Sequence, residues 1–142
     1  MSSETDRVEI ASRLDLYAEA LDRRQWERLR EVFADDVQID FGEWTATSCE
    51  QAVTAIRGYL DGCGPSQHLL GTCRIRIEGD AAWSLVYVRA FHVGVGRAAG
   101  KTYEMGGEYQ DELRRRPEGW RIVKRRARVL FEQGSRDVLG PG

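Results

Sequence analysis

"HLLGTCRIRIEGDAAWSLVYVRAFHVGVG", His68–Gly96, is the stretch that decides the fold. Arginine and isoleucine alternate through "RIRI", the period of a strand with two unlike faces. "EGDA" supplies turn residues, and "AWSLVYVRAFHVGVG" returns rich in β-branched and aromatic side chains. Downstream, "KTYEMGGEYQDELRRR", the turn "PEG" and "WRIVKRRARVLF" continue the same pattern. Upstream the period changes. From about Thr5 to Leu21, Ile10, Leu14, Tyr17, Ala18 and Leu21 recur on one helical face. Asp22 with Gln25 reads as a capping box, with Leu21 and Trp26 as its hydrophobic staple, opening a short helix through Leu29, Val32 and Phe33. Val37, Ile39 and Phe41 alternate as a strand, and Ser48 with Gln51 starts a third helix through Ala52, Val53, Ile56 and Leu60, stopped by "GCGP".

Two to three helices followed by long consecutive strands predict an α+β fold, the helices packed on one face of a mostly antiparallel sheet. Gly94, Gly96, Gly106 and Gly107 predict bends or bulges, so the sheet curves and encloses a small-ligand pocket. A chain of 142 residues is read as a single domain over 1–142, with an ordered core of about 5–132 and loose tails outside it. Net charge −2 points to neither a nucleic-acid nor a membrane partner, and the basic runs "RRR" and "KRRAR" read as solvated faces and cross-strand ion pairs. No apolar run reaches the roughly 20 residues of a membrane span. The polar start "MSSETDRVEI" lacks signal-peptide character, so the expected setting is cytoplasmic. Cys49, Cys63 and Cys73 include no CxxC pair and read as reduced, partly buried side chains, with neither a disulfide framework nor structural zinc.

"LYAEALDRRQWERLREVFADDVQIDFG", "SQHLLG", "IEGDAAW" and "GGEYQDELRRRPEGWRIVKR" together resemble the SnoaL-like branch of the nuclear transport factor 2-like superfamily, from about Ile10 to Arg126. The resemblance implies a cone: a strongly curved mixed sheet closed by three helices from the N-terminal half. It also implies a homodimer or homotrimer. Members include polyketide cyclases, scytalone dehydratase, lindane dehydrochlorinase, limonene epoxide hydrolase, ketosteroid isomerase and silent binding domains, so the chemistry has to come from site residues.

His68 is one of two histidines. In the dehydratase and the dehydrochlorinase a histidine at this strand position pairs with an aspartate at the position of Asp22. A carboxylate holding one ring N–H fixes the tautomer and stabilises the imidazolium formed when the other nitrogen takes a proton. Unbroken alternation would put His68 on the face of Arg74 and Arg76, opposite Ile75 and Ile77, so an inward His68 requires a bulge near Gly71. Tyr17 is expected to donate to a substrate carbonyl, as tyrosines on this helix do in several family members. Asp40 matches the proton-shuttling aspartate of the isomerases, and His92 a second histidine of the dehydratase. Tyr87, Tyr109 and Trp44 complete the expected substrate-binding set. No phosphate-cradling loop, metal cluster or nucleophile elbow appears, which leaves no expected metal or cofactor. The function expected is a cofactor-independent, dehydratase-like lyase acting on a hydrophobic hydroxylated carbonyl compound such as a polyketide or steroid intermediate. The alternatives are an isomerase, a cyclase or a non-catalytic binding domain in the same pocket.

Overall fold

In the computed structural model, which describes residues 3–141, the first helix, α1, spans Ser3–Asp22. The predicted face (Ile10, Leu14, Tyr17, Ala18 and Leu21) is buried. Asp6 pins the N-terminal half of the helix. Its carboxylate accepts from Arg115 Nη1 and Nη2 at 2.7 and 2.8 Å and from Trp120 Nε1 at 3.2 Å. Hydrogen bonds from Arg115, then from Trp120, push its pKa down to about 2. A 3₁₀ turn, Trp26–Glu31, leads into β1 (Phe33–Asp40) and the short edge strand β2 (Thr45–Ala46). Helix α2 (Cys49–Leu60) starts where predicted: Ser48 Oγ accepts from Gln51 N–H at 3.1 Å, while Gln51 Oε1 reaches back to Thr47 N–H at 2.8 Å.

Four long strands follow: β3 (Ser66–Glu78), β4 (Ala81–Val93), β5 (Thr102–Arg116) and β6 (Gly119–Gly134). The described strands make one curved, unclosed sheet in the order β2-β1-β6-β5-β4-β3, antiparallel except where β1 runs parallel to β6. This is the expected mixed, mostly antiparallel α+β architecture, with the core between the helices and the concave face of the sheet.

Bulges set which side chains enter that concavity. In β3, Leu70 pairs with Val88 and Cys73 with Val86, so one extra residue lies at Gly71–Thr72, where the sequence required one. In β6, Val123 is extra opposite Glu112/Leu113 and Leu130 is extra opposite Gly106/Gly107. A Cβ at Gly107 would collide with the carbonyl oxygen of Arg128, so the bulge needs glycine there. Gly94 and Gly96 lie past the end of β4, so the bending expected of them falls to a loop instead.

Two expectations are corrected. Asp22 does not start a helix; it ends α1. Arg24 N–H bonds Leu21 O at 3.1 Å and Gln25 N–H bonds Ala20 O at 2.8 Å, the paired bonds of a Schellman C-terminus. Gln25 precedes the 3₁₀ turn without any side-chain cap bond, so the capping box does not form as read. The carbonyls at the end of α1 claim the N–H groups that the box would have used.

The C-terminal segment is not loose. The 3₁₀ turn Arg136–Val138 buries Val138 to 2% exposure. Gly140 N–H bonds Tyr59 O, and its own carbonyl accepts from Gly62 N–H, both at 2.8 Å. Paired backbone and a buried valine hold this strap across the open end of the cone. At the other end α1 is already formed at Ser3, and residues 1, 2 and 142 lie outside the described residues. Cys49 is buried, Cys63 half-buried and Cys73 exposed, all as free thiols. No described helix is long and apolar enough to cross a membrane.

Candidate active site

A cavity of about 450 Å³ fills the cone. Its interior is largely apolar, with Leu21, Ile56, Leu60 and Met105 among the lining side chains. Tyr17, Asp40, Trp44, His68, His92 and Tyr109 line it as well, so six of the sequence-predicted residues reach one chamber. Asp22 stands behind His68, in an outer cleft that His68 also lines. Tyr87 is the exception. On β4 the even-numbered residues Val86, Val88, Ala90 and His92 are buried, which turns Tyr87 outward at 49% exposure. It is not a pocket residue.

The bulge at Gly71 brings His68 inward, and the end of α1 meets it there. His68 Nδ1 lies 2.7 Å from Asp22 Oδ1, and the His68 backbone N–H donates to Asp22 Oδ2 at 2.7 Å. Ser66 Oγ donates to Asp22 Oδ1 at 2.9 Å. Burial and the carbonyl end of a helix both disfavour a carboxylate here. Burial alone would raise the Asp22 pKa, but the bonds from His68 and Ser66 and the His68 charge outweigh it, and the net direction is downward. An ionised Asp22 can only accept, so the ring nitrogen facing it, Nδ1, carries a proton, and in the neutral ring Nε2 keeps its lone pair. The carboxylate then stabilises positive charge developing on the ring.

His92 sits edge-to-face with His68, ring centroids 5.7 Å apart. Its Nδ1 lies 3.0 Å from the carbonyl oxygen of Tyr103, which accepts only, so His92 Nε2 is the acceptor nitrogen. Burial pushes the His92 pKa down and outweighs the bond to the Tyr103 carbonyl, which works in the opposite direction. His92 is therefore neutral at pH 7. The linkage has a definite sign. A depressed folded-state value means that protonation favours unfolding, so the stability His92 contributes is complete above about pH 6.5 and lost as pH falls through its folded pKa. In a two-histidine NMR titration, one imidazole is expected to titrate below the free-histidine value and to move to it in the Tyr103–His92 region only on unfolding. A normal titration midpoint for His92 would contradict the buried geometry.

Tyr17 and Tyr109 form the inner wall, edge-to-face at 5.5 Å. Burial raises the pKa of both hydroxyls, so they remain phenols and donors. The structure adds a pair that the sequence reading missed: Asp111 and Arg125. Arg125 Nε and Nη2 donate to the two Asp111 carboxylate oxygens at 2.8 Å each, with both side chains essentially unexposed. The guanidinium carbon lies 4.1 Å from the Tyr109 ring centroid and 4.3 Å from that of Tyr17. Arg125 belongs to "KRRAR", and it is a buried cation rather than part of a solvated face. The extra residue Val123 reverses the alternation of β6, so that after Ile122 the inward positions are Arg125 and Ala127.

At the mouth, Phe41 and Trp44 stack in parallel with centroids 5.1 Å apart. Asp40 ends β1 there, exposed, with Oδ1 accepting from Gly42 N–H at 2.9 Å. Arg136 of the strap bridges Glu43 at 2.7 Å and Glu132 at 2.6 Å. Among the described residues no group of three or more His, Cys, Asp or Glu side chains is arranged to hold a metal ion.

The chain is 29% identical over 134 residues to the uncharacterized protein Rv2910c of Mycobacterium tuberculosis, covering 91% of this chain and 88% of that one. Solved structures that share its fold include the following two. A scytalone dehydratase candidate from Novosphingobium aromaticivorans superposes with TM-score 0.78 at 18% identity, covering 93% of this chain and 91% of the other. The hexachlorocyclohexane dehydrochlorinase LinA-type3 from Novosphingobium barchaimii superposes with TM-score 0.76 at 18% identity, covering 94% and 90%. The sequence profile of the SnoaL-like domain matches residues 3–126, and with this cone, pocket and run of strands the chain belongs to the SnoaL-like family, whose structural neighbours lie in the nuclear transport factor 2-like superfamily.

Proposed function

We propose that the protein is a lyase that uses its own side chains to eliminate water from a hydrophobic hydroxylated carbonyl compound, such as a polyketide or steroid intermediate. The observation that carries this reading is the contact of Asp22 with His68 at the wall of a largely apolar cavity. In it His68 Nε2 removes the proton next to the carbonyl and returns it to the departing hydroxyl. Asp22 holds the tautomer and balances the charge on the ring. Tyr17 and Tyr109 donate to the carbonyl oxygen as negative charge builds there. Neutral His92 accepts from a substrate hydroxyl and orients it. Two neighbours of the same fold are named for eliminations, one of water and one of hydrogen chloride, which supports a shared first step of proton removal.

Asp40 favours a second reading, because it lines the same chamber and offers a second carboxylate for moving a proton in an isomerase or cyclase. A panel of hydroxylated polyketide-like and steroid-like ketones, screened first for thermal stabilisation, separates these readings. A product lighter by one water supports the lyase. A product of unchanged mass makes the protein an isomerase or cyclase, and stabilisation without any product makes it a binding domain.

The proposal includes a homo-oligomer. Leu69, Arg89, Gly106 and Phe131 form one row across four strands on the outer face of the sheet, with exposed Tyr87 and Phe91 beside it. The exposed apolar side chains of this patch, Leu69, Tyr87, Phe91 and Phe131, support self-association. Sedimentation at micromolar concentration is expected to give a dimer or trimer, and Phe131→Glu to dissociate it; a monomeric wild-type protein would refute this part.

A further inference from the structure

Arg24 breaks a local rule. It occupies the position after the α1 C-terminus where the chain turns left-handed, with φ 57°, and it is the one non-glycine residue with positive φ among those described. Glycine is the usual residue there, because a Cβ clashes in this conformation. The guanidinium explains what the backbone tolerates. Arg24 Nη1 donates to Leu21 O at 2.7 Å and to Ser66 Oγ at 2.8 Å, and Nη2 donates to Gly64 O at 2.7 Å. One side chain therefore ties the end of α1, the loop before β3 and the first residue of β3.

Ser66 stands between Arg24 and the acid–base pair. Its single hydroxyl proton has two candidate neighbours, and Arg24 offers only donors. The proton therefore goes to Asp22 Oδ1, and the lone pairs of Ser66 take Arg24 Nη1. The order of donation is Arg24 to Ser66 to Asp22, with His68 Nδ1 giving to the same carboxylate oxygen. Without Arg24, Ser66 is free to rotate away from Asp22 Oδ1, which leaves the carboxylate held only by its two bonds to His68. Arg23, its neighbour in sequence, is exposed, so general basicity in this turn does not account for the arrangement.

We infer that Arg24 is a positioning residue for the Asp22–His68 pair, acting through Ser66 and held in a strained backbone for that purpose. Its meaning for catalysis rests on the proposed function, but its test needs no substrate. In ¹H–¹⁵N spectra the proton on His68 Nδ1 gives a low-field resonance that Asp22→Asn removes, and the two ring nitrogens report the tautomer. Arg24→Gly relieves the left-handed strain while deleting the guanidinium. It is expected to melt no lower than about 3 °C below the wild type, yet to lose or broaden the His68 signal and mix its tautomers. Arg24→Lys is expected to lose it too, because one ammonium cannot span Gly64, Leu21 and Ser66 in the geometry of the fork. A residue that merely ended the helix would leave the spectrum unchanged in Arg24→Gly, and that result overturns the inference. Should Arg24→Gly fail to fold, Ser66→Ala decides in its place: loss of the resonance supports the relay and retention refutes it.

Discussion

His68→Ala is expected to lower turnover by about 10²–10⁴-fold while leaving the melting temperature within a few degrees of the wild type. The size follows from the role. In the proposed mechanism His68 is the base at the cavity wall, with the Asp22 carboxylate hydrogen-bonded behind it, and alanine leaves only water to take the proton. His92 cannot replace it, because burial depresses its basicity and its partner is a carbonyl oxygen, which does not balance a positive charge. The fold tolerates the change because the β3 ladder and the His68 backbone N–H bond to Asp22 survive it. His68→Gln is the companion variant: it keeps the bulk and a donor to Asp22 but cannot accept a proton, so it should be equally inactive. Near-normal turnover in either variant would remove the acid–base assignment.

The second large effect is on stability. Asp111→Ala leaves the Arg125 guanidinium buried without its carboxylate, and breaking a fully buried pair from one side costs about 3–5 kcal/mol. For a domain of this size the melting temperature should fall by roughly 10–20 °C. Arg125→Met is expected to cost less, because the thioether still packs between the Tyr17 and Tyr109 rings, though it strands Asp111. The double variant Asp111→Leu/Arg125→Met should recover much of the loss, since burying two charges is itself expensive. Thermal unfolding of the three variants measures this directly. A shift under about 3 °C in Asp111→Ala would mean that water reaches the pair and that it does not order the tyrosine wall.

The fold was readable in the sequence because its signals are local and repeated. Ile10, Leu14, Tyr17 and Leu21 mark the buried face of α1, and the alternation around "EGDA" marks the β3–β4 hairpin. The site was legible only where a bulge could be anticipated. Gly71 made an inward His68 reasonable, and the register confirms the extra residue there. Arg125 carried no such mark: Val123 is an ordinary strand residue, and nothing in "WRIVKRRAR" shows that the alternation reverses after it. Asp22 reads as a helix start although it ends one, because a capping-box pattern and a Schellman end contain overlapping residues, and the usual glycine is absent where Arg24 turns. "GSRDVLGPG" is turn-like in composition and reads as a loose tail, while what anchors the strap, Val138 and the backbone of Gly140, depends on α2 lying alongside.

In the proposed function the Asp22–His68 pair removes a proton from carbon in a pocket-bound carbonyl compound. The most direct measurement is solvent exchange: ligands that stabilise the protein are incubated with it in D₂O, and deuterium is sought at the carbon next to the carbonyl or in the elimination product. Incorporation with the wild type that disappears in His68→Gln is the predicted result. Ligands that bind but show no C–H cleavage, or exchange equally with His68→Gln, would contradict it.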